Sequence, residues 1–382
     1  MTIGVVMIAS ASASLDKSAF RLQFWRSSFG RQAVFVVIGF LTIVAVARLG
    51  RVVLAWNERT WRRLAMTLFA LTIASLVAVL IPGISKEVHG ARRWIQFSQD
   101  EYGLRFQPSE LAKLTTVIVL AVLFSRPAGK VRSFWRGMLP GVVVVGLTAG
   151  LVGLEDFGTA VLLAAVGGAV LLVGGCRIYQ LVLMSIPAVA ALWYLLASQP
   201  YRLARLASFQ NIWSDAQGAG YHPVQSLVTI ASGGWLGRGL GAGIQKYGYL
   251  PESRTDFIFS VICEEAGALG GILVILMFIT LVWLGGRATL HATDPFRRLL
   301  AFGATLTLGL QAAMNIAVVT VCVPTKGMAL PLVSAGGSGI VFLGTAIGLL
   351  AAVAADGDYK SLSRPAPAET LVSAPSETVP VS

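Results

Sequence analysis

Between Tyr221 and Glu265 the chain carries Lys246, Glu252, Arg254 and Asp256 in close succession, with Glu264 and Glu265 just beyond and six glycines from Gly233 to Gly243 before them. Asp256 offers the most chemistry. It ends a polar stretch and is followed at once by the apolar run from Phe257, so its carboxylate falls where a polar loop meets a greasy segment. Partial desolvation there raises a carboxyl pKa and makes the ionised form a stronger base, while Arg254 or Lys246 nearby opposes the shift. Asp is also a favoured helix N-cap, and the two roles can coexist.

A second polar cluster reads GARRWI at Gly90–Ile95 and FQPSELAKL at Phe106–Leu114. Pro108 suits the first turn of a helix, which puts Glu110 and Lys113 at i, i+3 on one face. These groups read equally as a structural ion pair with arginines reaching to a boundary. Taken together, Arg92, Arg93 and Lys113 resemble a phosphate clamp, because guanidinium offers paired donors and ammonium a point charge. Lys326 is a further candidate to hold phosphate charge. The glycines of SGGWLGRGLGAG match neither GxGxxG nor GxxxxGK and follow no strand, so they predict a tight, irregular backbone and not a nucleotide loop. Cys176, Cys263 and Cys322 show no CxxC spacing and read as small apolar residues, and His89, His222 and His291 are scattered, so no zinc site is spelled out.

The elements that must position these residues are membrane helices. The 382 residues are 55% hydrophobic and 13% charged. Mean hydropathy is +0.75, outside the range of soluble domains. Apolar runs approaching the ~20 residues needed to cross a bilayer core, without the alternation of an outer-membrane barrel, predict an all-α polytopic integral membrane protein. Spans are expected near 33–54, 64–82, 109–125, 138–154, 157–174, 178–197, 257–286, 299–321 and 332–355. The opening MTIGVVMIASASAS is too short to span and reads as the remainder of a truncated first helix, which brings the count to about ten. A large extracytoplasmic loop is expected over 198–256. The transmembrane domain is expected to cover 1–355, with a disordered cytoplasmic tail, rich in Ala, Pro, Ser and Thr, over 356–382.

The net charge of +12 is spread singly through loops between apolar segments, which argues against nucleic acid as a partner. Lys and Arg divide equally between the two sides, fifteen each. The set at 48–63, 126–136, 177, 287–298 and the tail dominates the short loops, so that side is placed in the cytoplasm. The many bases on the outer side then call for an anionic ligand outside the membrane.

These motifs resemble the SEDS family of FtsW, RodA and SpoVE over nearly the whole chain. The likeness rests on SAS near Ser10–Ser14, GARRWI with FQPSELAKL, DFGTA at Asp156–Ala160, GYHPVQS, QKYGYLPESRTDFIF and PTKGMALPLVSAGGSG at Pro324–Gly339. The PTKG form resembles the cell-division branch more than the elongation branch. Four departures stand out: the short first helix, Glu155 where the family usually has Pro, Cys263 in place of Gly, and Ala335 and Gly339 in place of Tyr and Ser. The resemblance implies a peptidoglycan glycosyltransferase that polymerises lipid II into β-1,4 glycan at the outer face of the bacterial cytoplasmic membrane, at the division septum. It implies Asp256 as the catalytic base, with Arg92, Arg93, Glu110, Lys113, Lys246, Glu252 and Lys326 around the substrate. It also implies a class B penicillin-binding protein, a transpeptidase, as partner, alongside other division proteins. No cofactor is called for, although a divalent cation, Mg or Mn, could assist at pyrophosphate without a dedicated cage. The alternative is a flippase for the lipid-linked precursor. Transporter sites usually lie near the midplane on broken helices in internal repeats. No repeat is visible here, and the charged cluster lies at an interface, which favours the enzyme.

Overall fold

A computed structural model describes residues 1–13, 28–88, 91–96, 105–126, 131, 133–198, 200–218 and 220–362. Twelve helices are present among them: α1 Thr2–Ala13, α2 Ser28–Leu54, α3 Glu58–Leu80, α4 Pro108–Phe124, α5 Leu139–Glu155, α6 Phe157–Val173, α7 Ile178–Ala197, α8 Pro200–Gln210, α9 Tyr221–Gly233, α10 Ile258–His291, α11 Pro295–Val319 and α12 Ser338–Leu362. All nine expected spans and the opening stub are helical. Among the described residues seven helices are long and apolar enough to cross a bilayer, counting Phe134–Glu155 as one, whereas α4 and α6 have 17 residues each. At 1.5 Å per residue those two reach about 26 Å, short of the ~30 Å core. Phe134–Met138 forms a π turn that runs straight into α5.

The large loop expected over 198–256 lies between two spans and carries two short helices, α8 and α9, before an irregular segment. A second connection with structure of its own lies between α3 and α4. It forms a small antiparallel sheet, β1 Ser85–Val88, β2 Ala91–Gln96 and β3 Arg105–Phe106, with β2 in the middle. α12 carries on six residues past Asp356, and 363–382 lie outside the described residues.

α4 is the hub. Thirteen of its seventeen residues are buried, as expected for a helix apolar on all sides. Hydroxyls knit it to its neighbours where lipid offers no hydrophobic force between helices: Thr72 Oγ1 donates to Thr115 at 3.0 Å and Thr116 to Thr148 at 3.3 Å. One cluster, containing Leu54, Trp61, Phe124, Met138 and Leu299, closes the end of the bundle that carries the 55–57, 174–177 and 292–294 turns. The sheet, α8, α9 and the 234–257 and 320–337 loops gather at the opposite end.

α10 shows how that second end is braced. Its 34 residues would reach about 51 Å. The helix breaks at Gly267, whose φ of 73° is available to glycine without strain. The glycine-rich loop fills the break. The N–H groups of Arg238 and Gly239 donate to the carbonyls of Glu264 and Glu265, both at 3.0 Å, and Ala268 N–H donates to Gly234 O at 2.9 Å. The tight, irregular backbone expected of these glycines is therefore a plug for an interrupted helix. Side chains before the break, such as Ile258 and Ile262, are buried. Those after it, Leu269, Leu273 and Leu276 among them, are exposed as a lipid-facing stripe.

Candidate active site

Asp256 sits in the loop just before α10, partly buried. It does not cap that helix: the N-cap position is Phe257, without a side-chain hydrogen bond. Its backbone is clamped instead. Asn315 Nδ2, on α11, donates to Asp256 O at 2.8 Å and to Met328 O at 2.6 Å. Ser334 donates to Thr255 O at 2.6 Å, and Ala335 N–H to Arg254 O at 2.9 Å. The 254–256 and 328–335 segments are thereby laced together, and the carboxylate is turned into a cavity of about 450 Å³ at this end of the bundle.

The cavity is lined by Arg93, Glu110, Lys113, Asp156, Arg205, His222, Glu252, Asp256, Gln311 and Lys326, among others. Burial pushes the Asp256 carboxyl up to about 7, with the Glu252 and Asp156 carboxylates adding to the rise and Arg93 and Arg205 opposing it. A carboxyl titrating there is matched to proton abstraction at neutral pH. Gly327 makes the close approach possible, since a methyl group on it would lie 2.9 Å from Asp256 Oδ2 and 3.3 Å from Arg93 Nη1. Glu252 takes a positive φ of 52°, and its carboxylate accepts from Thr255 Oγ1 at 2.7 Å. Strain of this kind beside Asp256 must be held by its surroundings.

The pleat of β2 separates the two adjacent arginines. Arg93 points into the cavity and donates from Nε to the Glu155 carbonyl at 3.0 Å. Arg92 is not among the cavity-lining residues, and pairs at 3.4 Å with the exposed Glu87. Its backbone N–H donates to the Glu155 carboxylate at 2.7 Å, so Glu155, one of the four departures, ties the sheet to the end of α5. Asp156 caps α6, accepting from Thr159 N–H at 3.1 Å and Thr159 Oγ1 at 2.9 Å.

Glu110 and Lys113 make the expected i, i+3 pair at 2.7 Å. Lys113 also donates to Gln311 Oε1 at 2.6 Å, which leaves it one N–H for any ligand. Lys246 is placed elsewhere. It is buried, and its ammonium donates to Glu265 at 2.8 Å, Gly241 O at 2.8 Å and Ser10 at 2.9 Å, so all three donors are spent. Ser10 in turn donates to Glu265, which gives the SAS stretch of α1 its structural role. Lys326 lines the cavity, and burial lowers its pKa while Asp156 opposes the shift.

Arg205, His222 and Gln311 line the cavity and Asn315 holds the Asp256 loop, and sequence reading gave none of them a role there, although His222 lies in the GYHPVQS motif. Gln311 and Asn315 were visible as polar side chains at i, i+4 inside an apolar span, a signal of function or of interhelical bonding. Arg205 had only its positive charge to mark it. Among the described residues no three His, Cys, Asp or Glu side chains converge as a metal cage.

Fold and site together define a multi-pass membrane protein with a carboxyl of raised pKa in a cation-walled cavity at one end of its helical bundle. The family model described as "Cell cycle protein", that of FtsW, RodA and SpoVE, matches residues 1–359. The chain belongs to this family. It is 36% identical over 348 residues to a probable peptidoglycan glycosyltransferase FtsW of Geobacter sp. (strain M18), covering 91% of each chain. Over 373 residues it is 38% identical to the corresponding protein of Nitrosococcus halophilus (strain Nc4), covering 95% of this chain and 92% of that one. Its fold is similar to that of a chain from a peptidoglycan synthase complex, with a TM-score of 0.70 and 24% identity over 93% of this chain and 96% of that one. It is also similar to the rod shape determining protein RodA of Thermus thermophilus, at 0.62 and 23% identity, over 93% and 94%.

Proposed function

We infer that this chain is a peptidoglycan glycosyltransferase that joins lipid-linked disaccharide units, carried on a polyprenyl diphosphate, into glycan. The observation that carries this reading is the pairing of one carboxyl titrating at about 7 with Arg93, Arg205 and Lys326 around a single cavity. Asp256 takes the proton from the acceptor's 4-hydroxyl as that oxygen attacks the anomeric carbon of the donor. The bond from that carbon to the diphosphate breaks, and the departing anion is held by the cations of the wall. Glu252 and Asp156 keep Asp256 basic, and Asn315 fixes where it points. Any divalent cation at the diphosphate would be held chiefly by the phosphates.

Both substrates are lipid-anchored, and the boundary placement of Asp256 suits chemistry at the outer face of the cytoplasmic membrane. The FtsW-type relatives support a role in cell division, at the septum and beside other division proteins. Glycan leaving such a site needs a cross-linking enzyme close by, which supports a class B penicillin-binding protein as partner. Purified protein given lipid II, with and without its genome's class B transpeptidase, tests the reading. Long glycan made by the wild type, faster with the transpeptidase and not at all by Asp256→Asn, is the expected result. Near-normal synthesis by Asp256→Asn rejects the catalytic assignment, and no synthesis under any condition rejects the enzyme.

A further inference from the structure

The glycine-rich loop that plugs α10 carries exposed apolar side chains that its bracing role does not explain. Trp235 is 73% and Leu236 80% exposed, and Leu240 and Ile244 are exposed close by in the sequence. Large apolar groups gathered on one exposed segment mark a surface that something covers. Arg238, exposed as well, is the single charged residue from Gly233 to Gln245.

α10 shows where this loop stands in the bilayer. Beyond the break the helix turns Leu269, Leu273 and Leu276 to lipid, and near its far end Arg287 stacks over the exposed Trp283 at 5.1 Å, a pair suited to a membrane boundary. From Ala268 to Arg287 the helix rises about 28 Å, close to the ~30 Å of a hydrocarbon core. The break therefore lies at the opposite boundary. The loop is fastened at that level: Leu269 N–H donates to Trp235 O at 3.3 Å, which sets Trp235 and Leu236 at the head of the lipid-facing stripe. Its backbone is also prepared for a dry setting. The N–H groups of Arg238 and Gly239 go to the Glu264 and Glu265 carbonyls, and those of Gly241 and Ile244 to the Glu265 and Glu264 carboxylates at 3.1 and 2.8 Å.

We propose that residues 234–244 form an interfacial anchor, with Trp235, Leu236 and Leu240 among the acyl chains just beneath the headgroups and Arg238 at the lipid phosphates. An indole at headgroup depth and an arginine reaching out of an apolar patch are what such a boundary selects. The occupant is lipid, because the patch continues directly into surface that the bilayer already covers. Where the glycosyltransferase reading holds, the anchor also has a task. Successive turns lead from it to Asp256: Tyr247 N–H donates to Ile244 O at 3.1 Å, Leu250 N–H to Gln245 O at 2.9 Å and Phe257 N–H to Glu252 O at 3.2 Å. The loop thereby fixes the height of Asp256 against substrates that are themselves held by lipid chains.

The test uses the full-length protein in phosphatidylglycerol–phosphatidylcholine nanodiscs. A nitroxide is placed at Leu236→Cys in a Cys322→Ser background, since Cys176 and Cys263 are buried. Leu273→Cys serves as the membrane reference and Gln217→Cys, in the polar turn before α9, as the water reference. Collision with oxygen should exceed collision with a nickel chelate at Leu236, as at Leu273. A Leu236 label as open to the chelate as that at Gln217 overturns the proposal and leaves the patch to a protein partner. In a second arm, Trp235→Ser/Leu236→Ser/Leu240→Ser should lose at least about tenfold in lipid II turnover with its unfolding midpoint in detergent unchanged. Trp235→Phe/Leu236→Met/Leu240→Met should stay within about twofold of wild type. Full turnover by the serine variant, or equal loss in both variants, overturns the positioning role. If the serine variant unfolds, Leu236→Gln alone replaces it. A wild type whose loop is inserted but that makes no glycan sinks the glycosyltransferase reading and leaves the anchor standing.

Discussion

Replacing Asp256 by Asn should inactivate the protein and stabilise it at once. In the folded chain the carboxyl titrates at about 7 against an ordinary value of 3.8, because burial and the Glu252 and Asp156 carboxylates penalise its ionised form. At about 1.4 kcal/mol per pKa unit, ionised Asp256 costs the fold roughly 4 kcal/mol. The folded-state pKa is the raised one, so the folded chain holds this proton more tightly than the unfolded chain. Stability is therefore fully present below about pH 4, falls as pH rises toward 7, and is flat above that. Asn keeps the volume and never ionises. Asp256→Asn should gain up to about 4 kcal/mol over wild type at pH 8, about 2 at pH 5 and nothing near pH 4. Thermal unfolding of both proteins in detergent across that range reads the difference, with the gap in midpoint widening as pH rises. Lipid II polymerisation, measured alongside, should fall by ~10²–10⁴. A gap that stays constant with pH, or is reversed, would refute the claim that the cavity holds a destabilised carboxylate. Such a site is kept for its chemistry against the interest of the fold.

The acid limb of the polymerisation profile should have its midpoint near pH 7 and move with the neighbouring charges: Glu252→Gln shifts it to lower pH, and Arg93→Gln shifts it higher while also weakening turnover. Arg92→Gln should leave turnover within about twofold of wild type, since its exposed pair with Glu87 is worth under about 1 kcal/mol. Glu155→Gln keeps an acceptor oxygen but loses the charge and should cost about 1 kcal/mol at the Arg92 N–H, seen as faster amide exchange in β2 and a raised KM for lipid II. Lys246→Met leaves Glu265 buried without its cation and should destabilise by about 3–5 kcal/mol, lowering the yield of folded protein while the activity of what remains folded is retained.

Much of this protein could be read from its residues alone. The spans were legible because a bilayer leaves the backbone no partner but itself, so every crossing segment must be a long apolar helix. Lys113 with Glu110 was legible because i, i+3 is a local relation fixed by helix geometry. The site motifs, and with them the family, also lay open in the order of the residues. What local order could not decide was which way a polar side chain faces. Arg92 and Arg93 are adjacent and chemically alike, and only the pleat of β2, in a stretch that carries no strand pattern, sends one to the cavity and the other to Glu87. Lys246 and Glu252 are six positions apart in one polar run. Lys246 is drawn to Glu265 because a charge entering the core must find its counterion there, while Glu252 stays at the rim. The capping reading of Asp256 failed for the same kind of reason, since Asn315 and Ser334, some sixty and eighty residues away along the chain, hold its loop and turn the carboxylate inward. The cavity joins residues 93, 113, 156, 205, 256 and 326, contributed by segments from across the bundle. Its existence, and the raised pKa within it, are properties of helix packing, because desolvation depends on what surrounds a group in space and not on its neighbours in the chain.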